Sequence, residues 1–419
     1  MSKLPIDVPK EKLQQVRMDM FRKVQREKRA KKRIFSVATV FLLCLSLLFS
    51  IRVSPTIASY VAKIPGFEAI VSAVARDKGI QDIIDNEYYE EINVTQSKNG
   101  LSLTLQGVIA DQTGLVLFYD ANASFDILKL NLEEVQLFQG DERIEGAGGG
   151  GLVDGITKNK THISSSVGYD FVEPFDYTSK DFKAVFHFND KDKGNIEITV
   201  PFTLQNEIAK EKIFTANQTV NVGGQKFTIT QIRRSPLEMA LDIEVDEANT
   251  MEILSFDDIA VVMQDGELRK SKRHPLSKNK REGKFTLYLE SNYFHDPESL
   301  KIIIGAVHAV PKGEDFIEVD FGTKEILTKP DYFDWDISVT KQDVSVVINN
   351  RAKSRFLLLT DAVKEDGTWL KFKNATVSQE EQYEIETTQF EDYDGKAKIY
   401  INYFYNPIGE NIELNIPLQ

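Results

Sequence analysis

Hydrophobic and polar residues alternate along most of the chain after residue 88, in the period-2 pattern of half-buried β-strands. Leu101, Leu103 and Leu105, for example, alternate with Ser102 and Thr104, which makes one face of the segment apolar. Asn-Gly, Asp-Gly and Lys-Gly pairs separate such segments, and turns of this kind connect neighbouring antiparallel strands. The pattern predicts a mainly β fold.

The same order of strand patterns occurs three times along the chain. Each unit ends in a similar strand pattern, and these patterns begin near Gly194, Asp315 and Asn411. The spacing is that of domains, and several short strands per unit are typical of an immunoglobulin-like sandwich. We therefore predict tandem immunoglobulin-like sandwich domains at residues 88–206, 215–325 and 333–419. Diverged duplication and simple similarity among β-segments both remain explanations of the loose match.

Residues 34–51, IFSVATVFLLCLSLLFSI, form an uncharged and mostly apolar run. As a helix the run is about 27 Å long, enough to span a bilayer. Arg29, Lys31, Lys32 and Arg33 precede it closely, and basic residues mark the cytoplasmic side of a span. We predict one N-terminal transmembrane α-helix in the cell membrane, with residues 1–33 cytoplasmic and the remainder extracellular. A cleaved signal peptide is the alternative, but the run is longer than a usual signal-peptide core and 33 residues precede it.

Helical spacing on both sides of the apolar run predicts further helices. Phe67, Ile70, Val71 and Val74 recur at i, i+3, i+4 and i+7, which predicts a helical connector within residues 52–87 that packs under the first β-domain.

In the tail, an apolar stripe lies on a basic helix over residues 10–33. Its members are Leu13, Val16, Met20, Phe21 and Val24. Two interpretations are open. Such a helix can lie on the anionic surface of a lipid bilayer, or its stripe can dock into an apolar groove of a partner protein.

Charge is divided unevenly along the chain. Residues 1–33 carry 12 Lys/Arg and 4 Asp/Glu, whereas the chain as a whole has a net charge of −13. The outer region is therefore strongly acidic, which argues against direct nucleic-acid binding. The single cysteine, Cys44, lies inside the apolar run, so an intramolecular disulfide is excluded.

Residues suited to catalysis or cofactor binding do not form a convincing motif. The five histidines have no metal-ligand spacing, and we expect none to be catalytic; they are His162, His187, His274, His295 and His308. We assign no nucleophile with a base and an orienting group, and therefore predict no cofactor and no enzymatic activity. A hydrolase whose site is assembled from distant residues is not excluded by one sequence.

Within this acidic region lies one basic segment, at positions 269–281. Its members are Arg269, Lys270, Lys272, Arg273, Lys278, Lys280 and Arg281. A solvated loop is the simpler interpretation, and contact with an anionic partner, such as a cell-wall polymer or lipid headgroups, is the functional one.

The order of these parts resembles a family of single-pass membrane proteins of Gram-positive bacteria. The resemblance rests on Val8-Pro9 with its basic helix, the apolar run, SPTIASYVAKIPGFEAIV at 54–71 and EINVTQSKNGLSLTLQGVIADQTGLVLFYD at 91–120. The exterior domain of this family is a domain of unknown function, and residues 219–322 resemble a second uncharacterised domain that often follows it.

Members are commonly encoded beside extracytoplasmic-function sigma factors. The resemblance therefore implies an anti-sigma-factor-like regulator or a sensor of envelope state, with a sigma factor as the partner of the tail. The chain lacks the His-x3-Cys-x2-Cys motif of zinc-type anti-sigma domains, so any sigma binding must be metal-free. A passive cell-surface or wall-binding protein is the alternative function.

Overall fold

The computed structural model describes most of the chain after residue 76. The described residues are 69–70, 73–74, 77–127, 130–148, 151–152, 157–158, 161–273, 283–332, 335–348, 357–379 and 383–418. They are mainly β-structure arranged in several sandwich-like sheets, which confirms the predicted fold class in this coarse form. The predicted membrane span and the tail lie outside the described residues.

Helix α1 (Lys78–Asp85) precedes the first strand. Asp77 caps its N-terminus, because the side-chain carboxylate accepts a hydrogen bond of 2.8 Å from the Gly79 N–H, as an N-cap residue does. One face of the helix, with Ile80, Ile83 and Ile84, is buried. Ile70, from the predicted connector face, is buried as well, whereas Phe67 and Val71 lie outside the described residues.

The first sheet contains eleven strands in the described region. They are β1 (Glu90–Lys98), β2 (Leu101–Ala110), β3 (Gly114–Ala123), β4 (Asn131–Gln139), β5 (Glu142–Arg143), β6 (Gly146–Gly148), β7 (Gly151–Leu152), β8 (Thr157–Lys158), β9 (His162–Phe171), β10 (Asp181–Asp190) and β11 (Gly194–Thr203). The main path runs β1-β2-β3-β9-β6-β4-β10-β11, and β1 also contacts β11. The sheet therefore curls around its own apolar core, which includes Leu103, Tyr119 and Phe186.

The second sheet follows directly in the chain. It contains β12 (Lys212–Val222), β13 (Gln225–Arg234), β14 (Glu238–Val245), β15 (Met251–Asp257), β16 (Ala260–Val262), β17 (Leu268–Arg273), β18 (Lys284–Glu290) and β19 (Ser299–Pro311). Its order is β12-β13-β14-β18-β17-β16-β19-β15. A second apolar core, with Phe227, Phe256 and Phe285 in edge-to-face contact, lies within it.

Two smaller sheets surround a third apolar core. Their strands are β20 (Phe316–Asp320), β21 (Glu325–Thr328), β22 (Asp336–Val339), β23 (Asp343–Ile348), β24 (Leu359–Lys364), β25 (Trp369–Leu370), β26 (Phe372–Gln379), β27 (Glu384–Phe390) and β28 (Lys396–Ile401). The orders are β21-β20-β28-β24-β25 and β22-β23-β27-β26. Leu254 and Val310, from strands of the second sheet, contribute to this core, so the second and third cores share an apolar boundary.

The structure exchanges two of the predicted closing strands. The strand expected to close the second unit, β20, pairs with β28 in the third group. The strand expected to close the third, β29 (Pro407–Pro417), pairs with β19 and places Ile416 in the second core. Alternation determines which face of a strand is buried, but it does not determine which strand lies beside it. The domain boundaries stay predictions.

Candidate functional site

The residues predicted to contact partners fall into two groups. The tail residues Leu13, Val16, Met20, Phe21 and Val24 lie outside the described residues, as do Lys278, Lys280, Arg281 and the side chain of Arg273. In the part of the chain that the structure describes, no helix has the length and apolar character needed to cross a bilayer. Arg269, Lys270 and Lys272 lie on β17.

Two of these three basic side chains on β17 form ion pairs with carboxylates at helix α1. The Arg269 side chain is 3% exposed and its Nη2 lies 2.8 Å from the Asp82 Oδ2. The Lys272 Nζ lies 2.9 Å from the Asp77 Oδ2 and donates to the Leu237 carbonyl oxygen. Lys270 alone of the three has no ion pair among the described residues, and it is exposed. The basic segment is therefore, in part, the partner of helix α1.

Asp77 has two functions at the start of α1. One carboxylate oxygen caps the helix and the other binds Lys272. Burial by itself would lower the pKa of Lys272, but the carboxylates of Asp77, Glu238 and Asp170 outweigh it and raise that pKa above its ordinary value. Lys272 therefore stays charged and holds the first turn of α1 against the second sheet.

Asp82, one turn further along α1, has two partners on different elements. Its Oδ2 lies 2.8 Å from the Arg269 Nη2 and 3.0 Å from the His295 Nε2. Burial raises the pKa of Asp82, and the attraction of Arg269 and His295 offsets only part of that rise. Glu267 is a second partner of Arg269, at 3.4 Å, and also faces Lys78 at 3.7 Å. We call Asp77, Asp82, Arg269, Lys272 and His295 the helix clamp.

The backbone of α1 approaches the second sheet unusually closely at Gly79. A Cβ placed on Gly79 would lie 2.9 Å from the Ser291 backbone nitrogen, closer than real Cβ contacts. Ser291 opens the loop of residues 291–298, which joins β18 to β19 and carries His295. The first turn of α1 therefore requires a glycine at this contact.

The buried side chain of Arg234 fixes the conformation of the 291–298 loop. This residue is 1% exposed, and its Nη2 donates to the carbonyl oxygens of Asn292, Tyr293 and His295. Its pKa is lowered by burial, partly offset by Asp296 and Tyr293. A guanidinium that bonds several carbonyls of one loop holds that loop in a single shape.

A cavity of about 630 Å³ lies beside the helix clamp. Arg269 and His295, both partners of Asp82, line it together with Asn292 and the 262–265 turn. Cavities of this size accommodate small organic ligands. Among the described residues, no His, Cys, Asp and Glu side chains are grouped so that three of them could hold a metal ion.

The sequence did not reveal the residues around Arg269 and Lys272 in the folded protein. Asp77 had a readable signal, since an aspartate directly before Lys-Gly-Ile-Gln is a good N-cap. Asp82, His295 and Asn292 had none, because their partners are far away in the sequence and nothing local marks a pair.

Comparisons with known proteins give two family matches. Residues 27–122 match the model of a "Domain of unknown function (DUF4179)" and residues 211–337 match that of a "Family of unknown function (DUF5643)". No curated protein matches the chain. A solved structure described as "The crystal structure of the conserved domain protein from Bacillus anthracis" aligns with a TM-score of 0.39 and 17% identity, covering 55% of this chain and 82% of that one. The chain therefore contains two segments that match families of unknown function, in agreement with the resemblance to an uncharacterised family.

Proposed function

We propose that the protein is a membrane-anchored extracytoplasmic sensor with an anti-sigma-factor-like tail. The cytoplasmic tail binds a sigma factor, and the β-domains outside respond to the state of the cell envelope. The observation that carries the proposal is the helix clamp. Helix α1 follows the predicted membrane span by fewer than 30 residues, and charged groups on both sides pair it with the second sheet and the loop that follows β18.

Charged contacts suit a junction that must open and close. Separating a buried ion pair costs a few kcal/mol, because each charge is left without its partner, and a ligand that binds one of two arrangements better shifts the population towards it. A ligand in the cavity would touch Arg269 and His295, and both of them bind Asp82 on α1. The proposed signal is a change in how firmly α1 is held, passed through the connector to the span.

The cytoplasmic half of the proposal rests on the apolar stripe of the tail. Helix-in-groove recognition uses anchors at this spacing, so Leu13, Met20 and Val24 are proposed to dock on the sigma factor. The competing interpretation, adsorption to anionic lipid, depends on the Lys/Arg residues instead.

A pull-down separates the two interpretations of the tail. Full-length protein and a variant with Leu13→Ser, Met20→Ser and Val24→Ser are solubilised from the host membrane, and sigma factors in the eluate are identified by mass spectrometry. The variant keeps every basic residue and is expected to lose the sigma factor while remaining in the membrane fraction. Capture that is equal for both proteins, or no capture by the wild type, rejects the sigma-factor assignment.

A second experiment tests the clamp in the cell. Asp82→Asn weakens the contact of α1 with both Arg269 and His295, and is expected to change expression from a sigma-dependent promoter without altering protein level. Asp141→Asn, which removes an exposed pair with Lys183 in the first sheet, is the matched control. Identical reporter output for the two variants would count against transmission through α1.

The alternative, passive binding of an anionic wall polymer, has less support at the described positions. Arg269 and Lys272 already neutralise Asp82 and Asp77, which leaves Lys270. Lys270→Glu leaves the clamp intact, so a loss of wall retention in this variant, with normal signalling, would favour the alternative.

A further inference from the structure

Strand β26 lies at the open edge of its sheet. The order of this sheet is β22-β23-β27-β26 in the described part of the chain, so β26 pairs with β27 along one side and ends the sheet on the other. The strand is eight residues long, and every residue of it except Ala375 is exposed. The outer row of backbone N–H and C=O groups of such a strand is the part of a sheet that can pair with another chain.

Apolar side chains on the core side of β26 are exposed as well. Val377 lies opposite Glu386 of β27, which is 2% exposed, yet Val377 itself is 53% exposed. Phe372 lies opposite Phe390, a fully buried member of the third core, yet it is 37% exposed. Side chains of neighbouring strands pack side by side on one face, so a further strand at the outer edge of β26 would cover part of both.

The regular part of β26 lacks the features that usually protect a sheet edge. Natural edge strands are kept from pairing by charged side chains, by proline, by bulges or by a covering element. The pairing of β26 with β27 is irregular between Phe372 and Asn374 and regular beyond it. Residues 374–379, Asn-Ala-Thr-Val-Ser-Gln, contain no charged residue, no proline and no glycine. This segment is therefore suited to pair with another extended chain.

Charges on both sides of this segment make it complementary to itself. Lys371 and Lys373 precede it in the sequence, and Glu380 and Glu381 follow it. In an antiparallel pair of identical strands the start of each strand lies beside the end of the other. A two-fold axis at Thr376 therefore brings the lysine end of each copy beside the glutamate end of the other, and opposite charges across two strands stabilise their pairing.

We propose that β26 pairs antiparallel with β26 of a second copy of the chain, with Thr376 at the two-fold axis, so that one sheet continues through both copies. The inference goes beyond the proposed sensor function and does not depend on it. An interface made by one strand from each copy is small, below the about 1,200 Å² of buried surface that stable complexes reach. The association is therefore reversible, and its tests are made on intact cells and on co-expressed copies.

Cross-linking of the full-length protein in intact cells locates the contact. In a Cys44→Ser background, Thr376→Cys places one thiol of each copy at the axis, where opposite Cβ atoms are about 5 Å apart, and a short bis-maleimide joins them. Thr328→Cys on β21, which is also exposed, is the matched control. The dimer yield of Thr376→Cys is expected to be about 5-fold that of the control or more, because pairing holds its thiols together. Equal yields, or an adduct whose mass is not that of two chains, would overturn the proposal.

Charge substitution at Thr376 tests whether the partner is the same strand. Two differently tagged full-length copies are co-expressed, and the amount of one that co-purifies with the other is measured. Thr376→Lys in both copies sets like charges opposite each other and is expected to lower co-purification about 5-fold, whereas Thr328→Lys in both leaves it unchanged. Thr376→Lys in one copy with Thr376→Glu in the other is expected to restore it. Thr376→Glu in both copies gives the same repulsion and serves if the lysine variant does not accumulate. Unaltered co-purification in the like-charged pair, or no recovery in the mixed pair, refutes the pairing.

The sigma-factor pull-down described above keeps this inference distinct from the proposed function. Capture of a sigma factor by the wild type, without a cross-linked dimer of Thr376→Cys, would reject the pairing of β26 and leave the sensor function intact. A cross-linked dimer without sigma-factor capture would support the pairing and reject the sigma-factor assignment.

Discussion

The Arg269–Asp82 ion pair provides the most direct test of how α1 is held. We consider Arg269→Met, Asp82→Asn and the double variant. Arg269→Met keeps most of the side-chain volume and leaves Asp82, whose side chain is 15% exposed, with His295 as its partner. Asp82→Asn leaves the Arg269 charge with Glu267. The double variant removes both charges.

The expected magnitude follows from the burial of the pair and from its secondary partners. Removing one member of a fully buried pair costs about 3–5 kcal/mol, because the other charge is left unpaired. Here His295 at 3.0 Å and Glu267 at 3.4 Å compensate part of that loss. We expect each single change to lower the opening free energy of α1 by about 2 kcal/mol, or roughly 30-fold in the opening equilibrium. The double variant should lose less than the sum of the single losses, with a coupling energy of about 1–2 kcal/mol.

Native-state hydrogen exchange measured by mass spectrometry is the suitable assay. The described chain has three apolar cores, so a global unfolding curve need not be two-state, whereas exchange of the α1 amides reports the local opening. Lys183→Met removes the exposed pair with Asp141 and should change the opening free energy of its own strand by less than about 1 kcal/mol. The reasoning is refuted if either single variant leaves α1 exchange within twofold of wild type, or if the two effects add within about 0.5 kcal/mol.

Three further predictions concern other parts of the chain. Gly79→Ala should accelerate α1 exchange despite the higher helix propensity of alanine, because its Cβ would meet Ser291; Gly168→Ala, where a Cβ meets nothing within 4 Å, should leave α1 exchange unchanged. Burial raises the pKa of Glu386 to about 7, although the Leu358 and Leu359 N–H groups oppose the rise. The folded state therefore binds more protons than the unfolded state between about pH 4.5 and 7, and the free energy of unfolding of the third core should fall by at most about 3 kcal/mol as pH rises through that window. Urea unfolding followed by tryptophan fluorescence measures this free energy. A pH dependence that persists in Glu386→Gln would contradict the assignment. For topology, protease added to protoplasts should digest the β-region and spare an epitope on the tail, and the opposite pattern would reverse the predicted orientation.

Local chemistry predicted the strands well, for identifiable reasons. Leu101, Leu103 and Leu105 were expected on one face and are all fully buried. The preceding Asn99 and Gly100 both have positive φ, 52° and 79°, as an Asn-Gly hairpin turn requires, and Lys98 pairs with Leu101 across it. The two-residue alternation of apolar and polar positions and the identity of the turn residues depend only on neighbouring positions, so both can be recognised in a single sequence.

Strand partners and charge partners were not predictable in the same way. Strands β20 and β29 have the expected alternation but pair with strands outside their expected units, because alternation carries no information about the neighbour. Asp82 lies more than 180 residues before Arg269 and more than 210 before His295. A charged residue on a short helix is expected to face solvent unless the distant partner is known.

The composition of the helix clamp argues that the junction is built to release. Helix α1 belongs to the segment that matches the first family, whereas Arg269, Lys272 and His295 belong to the segment that matches the second. Apolar residues of similar volume often hold two elements together as firmly as a buried ion pair or more firmly, so stability alone does not call for five ionisable side chains at one contact. An apolar contact would respond weakly to a small polar ligand, whereas Asp82 depends on two side chains that line the cavity. A ligand that competes for Arg269 or shifts His295 acts directly on the bond that holds α1, and the free energy at stake, about 2 kcal/mol, is within the range of ordinary coupling between sites.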